Sequence, residues 1–226
     1  MEQWLRAVLF ILLKSDKCAS TYGDYVEQKE LRDLVVSAVV ISLAFAIAFA
    51  DGLFGLAANI GTIPFLFIVS LVTVAISFIA HELGHRFMSR KFGFYAEYRM
   101  WPKGLFMALL FSMFGFVFAA PGAVYIHPRR GLWGEHQNIT QRINGIISAT
   151  GPAVNLALAA VFLGLLIFVP SLGFIAGFGV TINAWLAFFN LIPFGPLDGA
   201  KVLKWHKGVW ATEIALAVIL FGLFIL

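Results

Sequence analysis

Two histidines four residues apart, with a glutamate beside the first, stand out in the run FIAHELGHR at residues 78–86: His81, Glu82 and His85. On a helix, positions i and i+4 share a face one turn apart. Both imidazoles can therefore converge on one zinc ion, with Glu82 left as the base toward an attacking water. Three ionisable groups within five positions of a long apolar stretch are costly to bury, at a few kcal/mol each, unless they are paired or share a partner. A metal supplies one.

A hydrolytic zinc site takes three protein ligands and keeps one position open, so a third ligand must come from elsewhere. The extension HExxHxxGxxH fails because position 91 is Lys91. Glu97 follows a short loop beginning at Gly93 and is expected in water. The remaining candidates are His127, Glu135, His136, Asp198, His206 and Glu213.

The elements that must position these groups are membrane helices. Of 226 residues, 61% are hydrophobic and 12% charged, more apolar surface than a water-soluble domain of this size can hide. A span needs about 20 helical residues. Runs at 34–50, 64–85, 143–169 and 172–193 suit one, and a fifth at 209–226 closes the chain. Residues 4–13 are too short to span and read equally as an interfacial helix or a disordered start, and 15–32 as a solvated tether. The division is a segment 1–32 and a membrane domain 33–226, with its core at about 64–200. The formal charge of +4 lies in short clusters and not on a broad basic face, which excludes a nucleic-acid partner. A lone cysteine, Cys18, excludes an internal disulfide.

Residues 105–126 are long enough to cross, and charge decides against it. If they dip in and return, all 16 Lys and Arg residues fall on one side: five before Asp33, eight from Arg86 to Arg142, and Lys201, Lys204 and Lys207. The positive-inside rule then places the N-terminus and the active-site side in the cytoplasm and the C-terminus outside. The returning part, 119–128 (AAPGAVYIHP), has a Pro-Gly break and then a β-prone run, so a strand or hairpin is expected within a re-entrant loop of about 105–128. Non-helical backbone at that depth must be lined by protein or by a water-filled cavity. The expected fold is an all-α polytopic membrane protein with about five transmembrane helices and a membrane-dipping loop carrying short β-strands.

This topology favours Asp198 as the third ligand. His81 lies about 26 Å along its helix from residue 64, at roughly 1.5 Å per residue, near the face where the fourth span delivers NLIPFGPLDG at 190–199. Pro193, Gly195 and Pro196 break the helix just before the aspartate and can turn its carboxylate inward. The alternative for Asp198 is a helix cap at the membrane surface.

HELGH at 81–85 together with NLIPFGPLDG at 190–199 resembles the site-2 protease family of intramembrane zinc proteases, which combine HExxH with a distant NxxPxxxxDG. The resemblance implies one Zn2+ ion held by His81, His85 and Asp198, Glu82 as catalytic base, and Asn190 near substrate or the developing oxyanion. It also makes PGAVYI at 121–126 the membrane-dipping loop, and Gly151, Pro152 and Asn155 part of a small-residue stretch, in which Gly151 and Pro152 read mainly as a close helix contact and a kink. The implied activity is hydrolysis of peptide bonds in transmembrane segments of protein substrates within the bilayer. A substrate helix must unwind there, and residues 119–125 could accept it as an added strand, with Pro121, Gly122, Ala123 and Val124 in contact. Other classes are a membrane zinc transporter, which would not need Glu82, and a non-catalytic membrane-protein chaperone. Trp101, Trp133, Trp205 and Trp210 read as interfacial anchors in contact with lipid. Glu213, early in the last span, has no assigned role, and the sequence specifies no oligomeric state.

Overall fold

The computed structural model describes residues 21–127 and 138–225, and helix dominates them. In chain order the elements are α1 (Thr21–Phe49), α2 (Gly52–Asn59), α3 (Ile63–Lys91), β1 (Tyr95–Met100), α4 (Pro102–Ser112), β2 (Gly122–His127), α5 (Gln141–Phe168), α6 (Gly173–Asn190), α7 (Asp198–Trp205) and α8 (Lys207–Ile225). Among the described residues four stretches are long and apolar enough to cross a membrane: Gln28–Phe49, Ile60–Lys91, Gln141–Phe168 and Pro170–Asn190. The chain is a polytopic membrane protein. The fifth span expected at 209–226 falls on α8, a 19-residue helix that is not one of these four.

The helix ends follow local rules. Pro64 sits in the first turn of α3, where its missing N–H costs nothing, and Arg90 and Lys91 occupy the last turn beside the free carbonyls. Thr140 caps α5 by accepting the Ile143 N–H at 3.2 Å. Gly93, at φ +82°, turns the chain out of α3 into β1. In the interior Ile41 and Phe45 of α1 pack with Val74 and Phe78 of α3, and small residues such as Ala38, Ala44 and Ala184 let helices approach closely.

Residues 102–127 form a hairpin of unlike limbs. Helix α4 has 11 residues, too few to span, and ends in a turn whose Met113 carbonyl accepts the Leu53 N–H at 2.6 Å. The turn thus lies just past the far end of α1. The chain returns from Phe116 without regular structure and enters β2, as expected of a loop that dips and comes back. Trp185 of α6 donates its indole N–H to the Val117 carbonyl at 2.9 Å, satisfying one of the limb's backbone acceptors.

Strand β2 pairs antiparallel with β1, Tyr98 opposite Val124 and Met100 opposite Gly122. The other edge of β1 is closed by α1: the Tyr98 N–H donates to Glu30 Oε1 at 3.0 Å and the Met100 N–H to Asp33 Oδ2 at 3.4 Å. Since Tyr98 and Met100 turn their N–H groups away from β2, their partners Val124 and Gly122 turn theirs to the far side of β2. That side has no strand partner among the described residues.

Three expectations need correcting. The tether expected at 15–32 is helical from Thr21, and Glu30 and Asp33 are buried because they serve β1 and, in the case of Glu30, the Arg86 guanidinium at 3.3 Å. Glu97, expected in water, is buried beneath Arg99, whose Nη2 stands 2.8 Å from its Oε1. The β-segment is Gly122–His127, starting later than residue 119, and its partner β1 was not foreseen. Residues 4–13, Cys18, Trp133, Glu135 and His136 lie outside the described residues.

Candidate active site

His81, Glu82 and His85 lie on α3 where it passes α5, and all three are buried. Leu191 to Leu197 leave the helical path after α6, with Gly195 at φ +57°, and α7 then starts at Asp198. The break turns the carboxylate inward: Asp198 Oδ2 lies 3.0 Å from His85 Nε2 and 3.5 Å from His81 Nε2. The two Nε2 atoms are 3.1 Å apart. His127 and His206 stand apart from this group. His127 leans toward Glu97 at 3.6 Å, and His206 is exposed and accepts the Val209 N–H at 3.2 Å. The Oε2 of Glu213 is closed to solvent and has no hydrogen-bond partner.

The donor set suits a metal. His85 Nδ1 is 2.8 Å from the Ile147 carbonyl, which can only accept, so Nδ1 carries the proton and the Nε2 lone pair points into the group. His81 Nδ1 meets Asn155 Oδ1 at 3.2 Å, which fixes the same tautomer. Two lone pairs and a carboxylate oxygen facing one another repel unless a cation sits among them. Zinc–nitrogen bonds of about 2.0–2.1 Å in a tetrahedron put ligand atoms roughly 3.3 Å apart, close to the 3.0, 3.1 and 3.5 Å found here. His81, His85 and Asp198 are a group able to hold a metal ion.

A cavity of about 220 Å3 opens beside the group, walled by Gly122–Ile126 of β2 and by Asn190, Leu197 and Trp101. A smaller space of about 20 Å3 lies behind Glu82, bounded by Pro121, Gly122 and Asn190, enough for a single water. Glu82 Oε2 is sealed from solvent and borders this small space. Asn190 donates one amide N–H to the Leu186 carbonyl at 2.9 Å and lines both spaces. Below the sheet, burial pushes the Tyr98 phenol far above the ordinary tyrosine value; it stays protonated and shares a 2.8 Å hydrogen bond with Ser37.

Several neighbours touch the site. Gly151, expected as a close helix contact, makes that contact against the imidazoles: a Cβ there would lie 2.6 Å from His81 Nε2 and closer still to His85 Nε2. Asn155, on the same face of α5 one turn on, orients His81. Trp101, expected as an interfacial anchor, is exposed and also lines the cavity. Trp205 packs over Gly145, and Trp210 donates to the Leu191 carbonyl at 2.8 Å. The spacing G-x-x-x-N at 151–155 is the signal that could have marked that α5 face.

No family model and no solved structure matches the chain. A protein of Methanocaldococcus jannaschii, provisionally named a zinc metalloprotease, is 41% identical over 188 residues, covering 81% of this chain and 88% of that protein. The chain belongs to that zinc metalloprotease family. As a metalloprotease with several apolar helices, it is a membrane hydrolase with zinc as its cofactor, and the His-His-Asp group is suited to receive the ion.

Proposed function

We propose that this metalloprotease is of the site-2 type and cleaves peptide bonds within or next to transmembrane segments of other proteins, using His81, His85 and Asp198 as zinc ligands and Glu82 as base. The observation that carries the reading is the meeting of two distant motifs, with Asp198 Oδ2 3.0 Å from His85 Nε2 beside an unpartnered, buried Glu82. Zinc held there would polarise a peptide carbonyl and acidify water. Glu82 would take the proton of the attacking water and pass it to the leaving amine. Asn155 and the Ile147 carbonyl hold the imidazoles in the tautomer that offers Nε2. Asn190, at the cavity wall, is in reach to hold the substrate carbonyl.

A helical substrate hides its carbonyls and must unwind before attack. The outward N–H groups of Gly122 and Val124 offer the unwound stretch a strand to pair with, while Pro121 and Ala123 border the same walls. The charge pattern supports a cytoplasmic N-terminus and site, with the C-terminus outside.

The test is cleavage of a panel of single-span substrates by wild type, Glu82→Gln and Asp198→Asn, with bound zinc quantified in each. Wild type should cut within or beside the span. Glu82→Gln should keep zinc and lose about 10²–10⁴ in rate; Asp198→Asn should lose both. Normal cutting by Glu82→Gln would end the proposed mechanism, and full zinc in Asp198→Asn would move the third ligand elsewhere.

A further inference from the structure

The cavity beside the metal group carries two cations that the hydrolytic chemistry does not use. Arg99 of β1 and Lys201 of α7 both line it. Arg99 gives Nε and Nη2 to a single oxygen of Glu97, at 2.9 and 2.8 Å. Its third nitrogen, Nη1, is closed to solvent and has no hydrogen-bond partner. The side chain as a whole is 25% exposed, and a guanidinium fork is shaped to take a carboxylate. Glu97 does not depend on Arg99 alone, because His127 Nε2 also approaches it at 3.6 Å. Lys201 reaches Asp198 Oδ1 at 3.5 Å, the oxygen turned away from the histidines, and its side chain is 35% exposed.

Two carboxylates line the same space, Glu82 and Asp198, and the proposed chemistry commits both of them. What remains for a guest to meet is positive. Arg99 sits opposite Ala123 in the sheet, so the two side chains rise on one face, next to Gly122 and Val124, whose N–H groups point to the free edge. A chain laid along that edge would border the cavity that Arg99 and Glu82 both line.

We propose that Arg99, assisted by Lys201, forms a subsite that selects a substrate with an acidic side chain close to the scissile bond. This rests on the proposed reading that peptides are cut along β2. A phosphate of an anionic lipid could offer similar charge, but Arg99 lines a wall shared with the metal group. That placement favours the peptide.

The experiment uses the full-length zinc-loaded protein in zwitterionic nanodiscs and single-span substrates with Glu, Gln or Lys placed in turn at each position around the mapped cut. In parallel, binding of the same peptides to Glu82→Gln is followed by fluorescence polarisation, a readout that needs no turnover. At one position Glu should be favoured over Gln by about three- to ten-fold in KM and in Kd, the range of a partly exposed charge-assisted bond. Lys should be disfavoured there. Arg99→Gln should erase the preference while keeping zinc, and Arg99→Lys should retain part of it. No preference in wild type, or an undiminished one in Arg99→Gln, overturns the proposal. So does competition by anionic lipid that lowers binding of Glu and Gln peptides equally and depends on Arg99. If wild type cuts nothing, the protease reading fails and the binding arm alone judges this subsite.

Discussion

The phenol of Tyr98 on β1 lies directly under Gly122 of β2, with no room between them for a methyl group. The same phenol is pinned to Ser37 of α1, so the first span, the sheet and the cavity wall share one fixed point. Gly122→Ala should lift β2 from that point. The expected outcome is a loss of about ten-fold or more in cleavage with zinc content unchanged, measured as turnover per bound zinc, because a misplacement near 1 Å at a site can cost about 10² in rate.

Gly151 allows α5 to meet the imidazoles. A methyl at this position would fall within 2.6 Å of His81 Nε2, in the space the ligand atoms share. Gly151→Ala should fold and yet fail to retain zinc through dialysis, whereas Gly164→Ala on the same helix, where a Cβ meets nothing within 4 Å, should behave as wild type. Full zinc in Gly151→Ala would contradict the assignment of these histidines as ligands.

Asn155 acts on zinc only through His81. Removing the acceptor frees the ring to rotate or change tautomer, so Asn155→Ala should weaken zinc binding by about 10- to 100-fold. Asn155→Asp keeps an acceptor oxygen and should restore much of it. Competition with a chelator of known affinity measures both.

The register makes the two sides of β2 separable. Val124 points its N–H outward and Ala123 points its N–H at β1. Val124→Pro should spare zinc and thermal stability but cut turnover of folded single-span substrates by about ten-fold or more, since a bond to an added strand is lost. Ala123→Pro should instead destabilise the sheet itself. If Val124→Pro leaves turnover intact, the edge is not where substrate docks.

Tyr98 gives the sheet an alkaline limit. Its pKa is raised in the folded state, so its contribution is fully present below the unfolded value of about 10 and is lost as pH rises beyond it toward the folded value. Thermal melts should fall more steeply above pH 10 in wild type than in Tyr98→Phe. The phenylalanine variant gives up the Ser37 bond at all pH values.

Much of this site is written in local pattern. His81, Glu82 and His85 share a face because of helical spacing, and Asp198 turns inward because proline and glycine break the chain just before it. The illegible parts depend on partners far along the chain. Glu30 and Asp33 look like tether charges until their acceptors are matched with N–H groups of Tyr98 and Met100, nearly 70 residues later. Glu97 follows a turn and reads as solvated, yet Arg99 two residues on folds back over it. Gly151 carries no side chain to advertise what it faces. The return of the loop was readable from charge because Lys201, Lys204 and Lys207 lie well beyond it, whereas the reach of its tip to Leu53 was not.

The carboxylates that α1 sets against β1 have a further consequence for how copies of the chain meet. Edge-to-edge growth of sheets into fibrils requires every member to offer two open sides. Here one side is plugged by Glu30 and Asp33, leaving the sheet a single port among the described residues. Two copies joined through β2 would exhaust their ports, so a crowded membrane can at most pair these molecules by that route and cannot string them together.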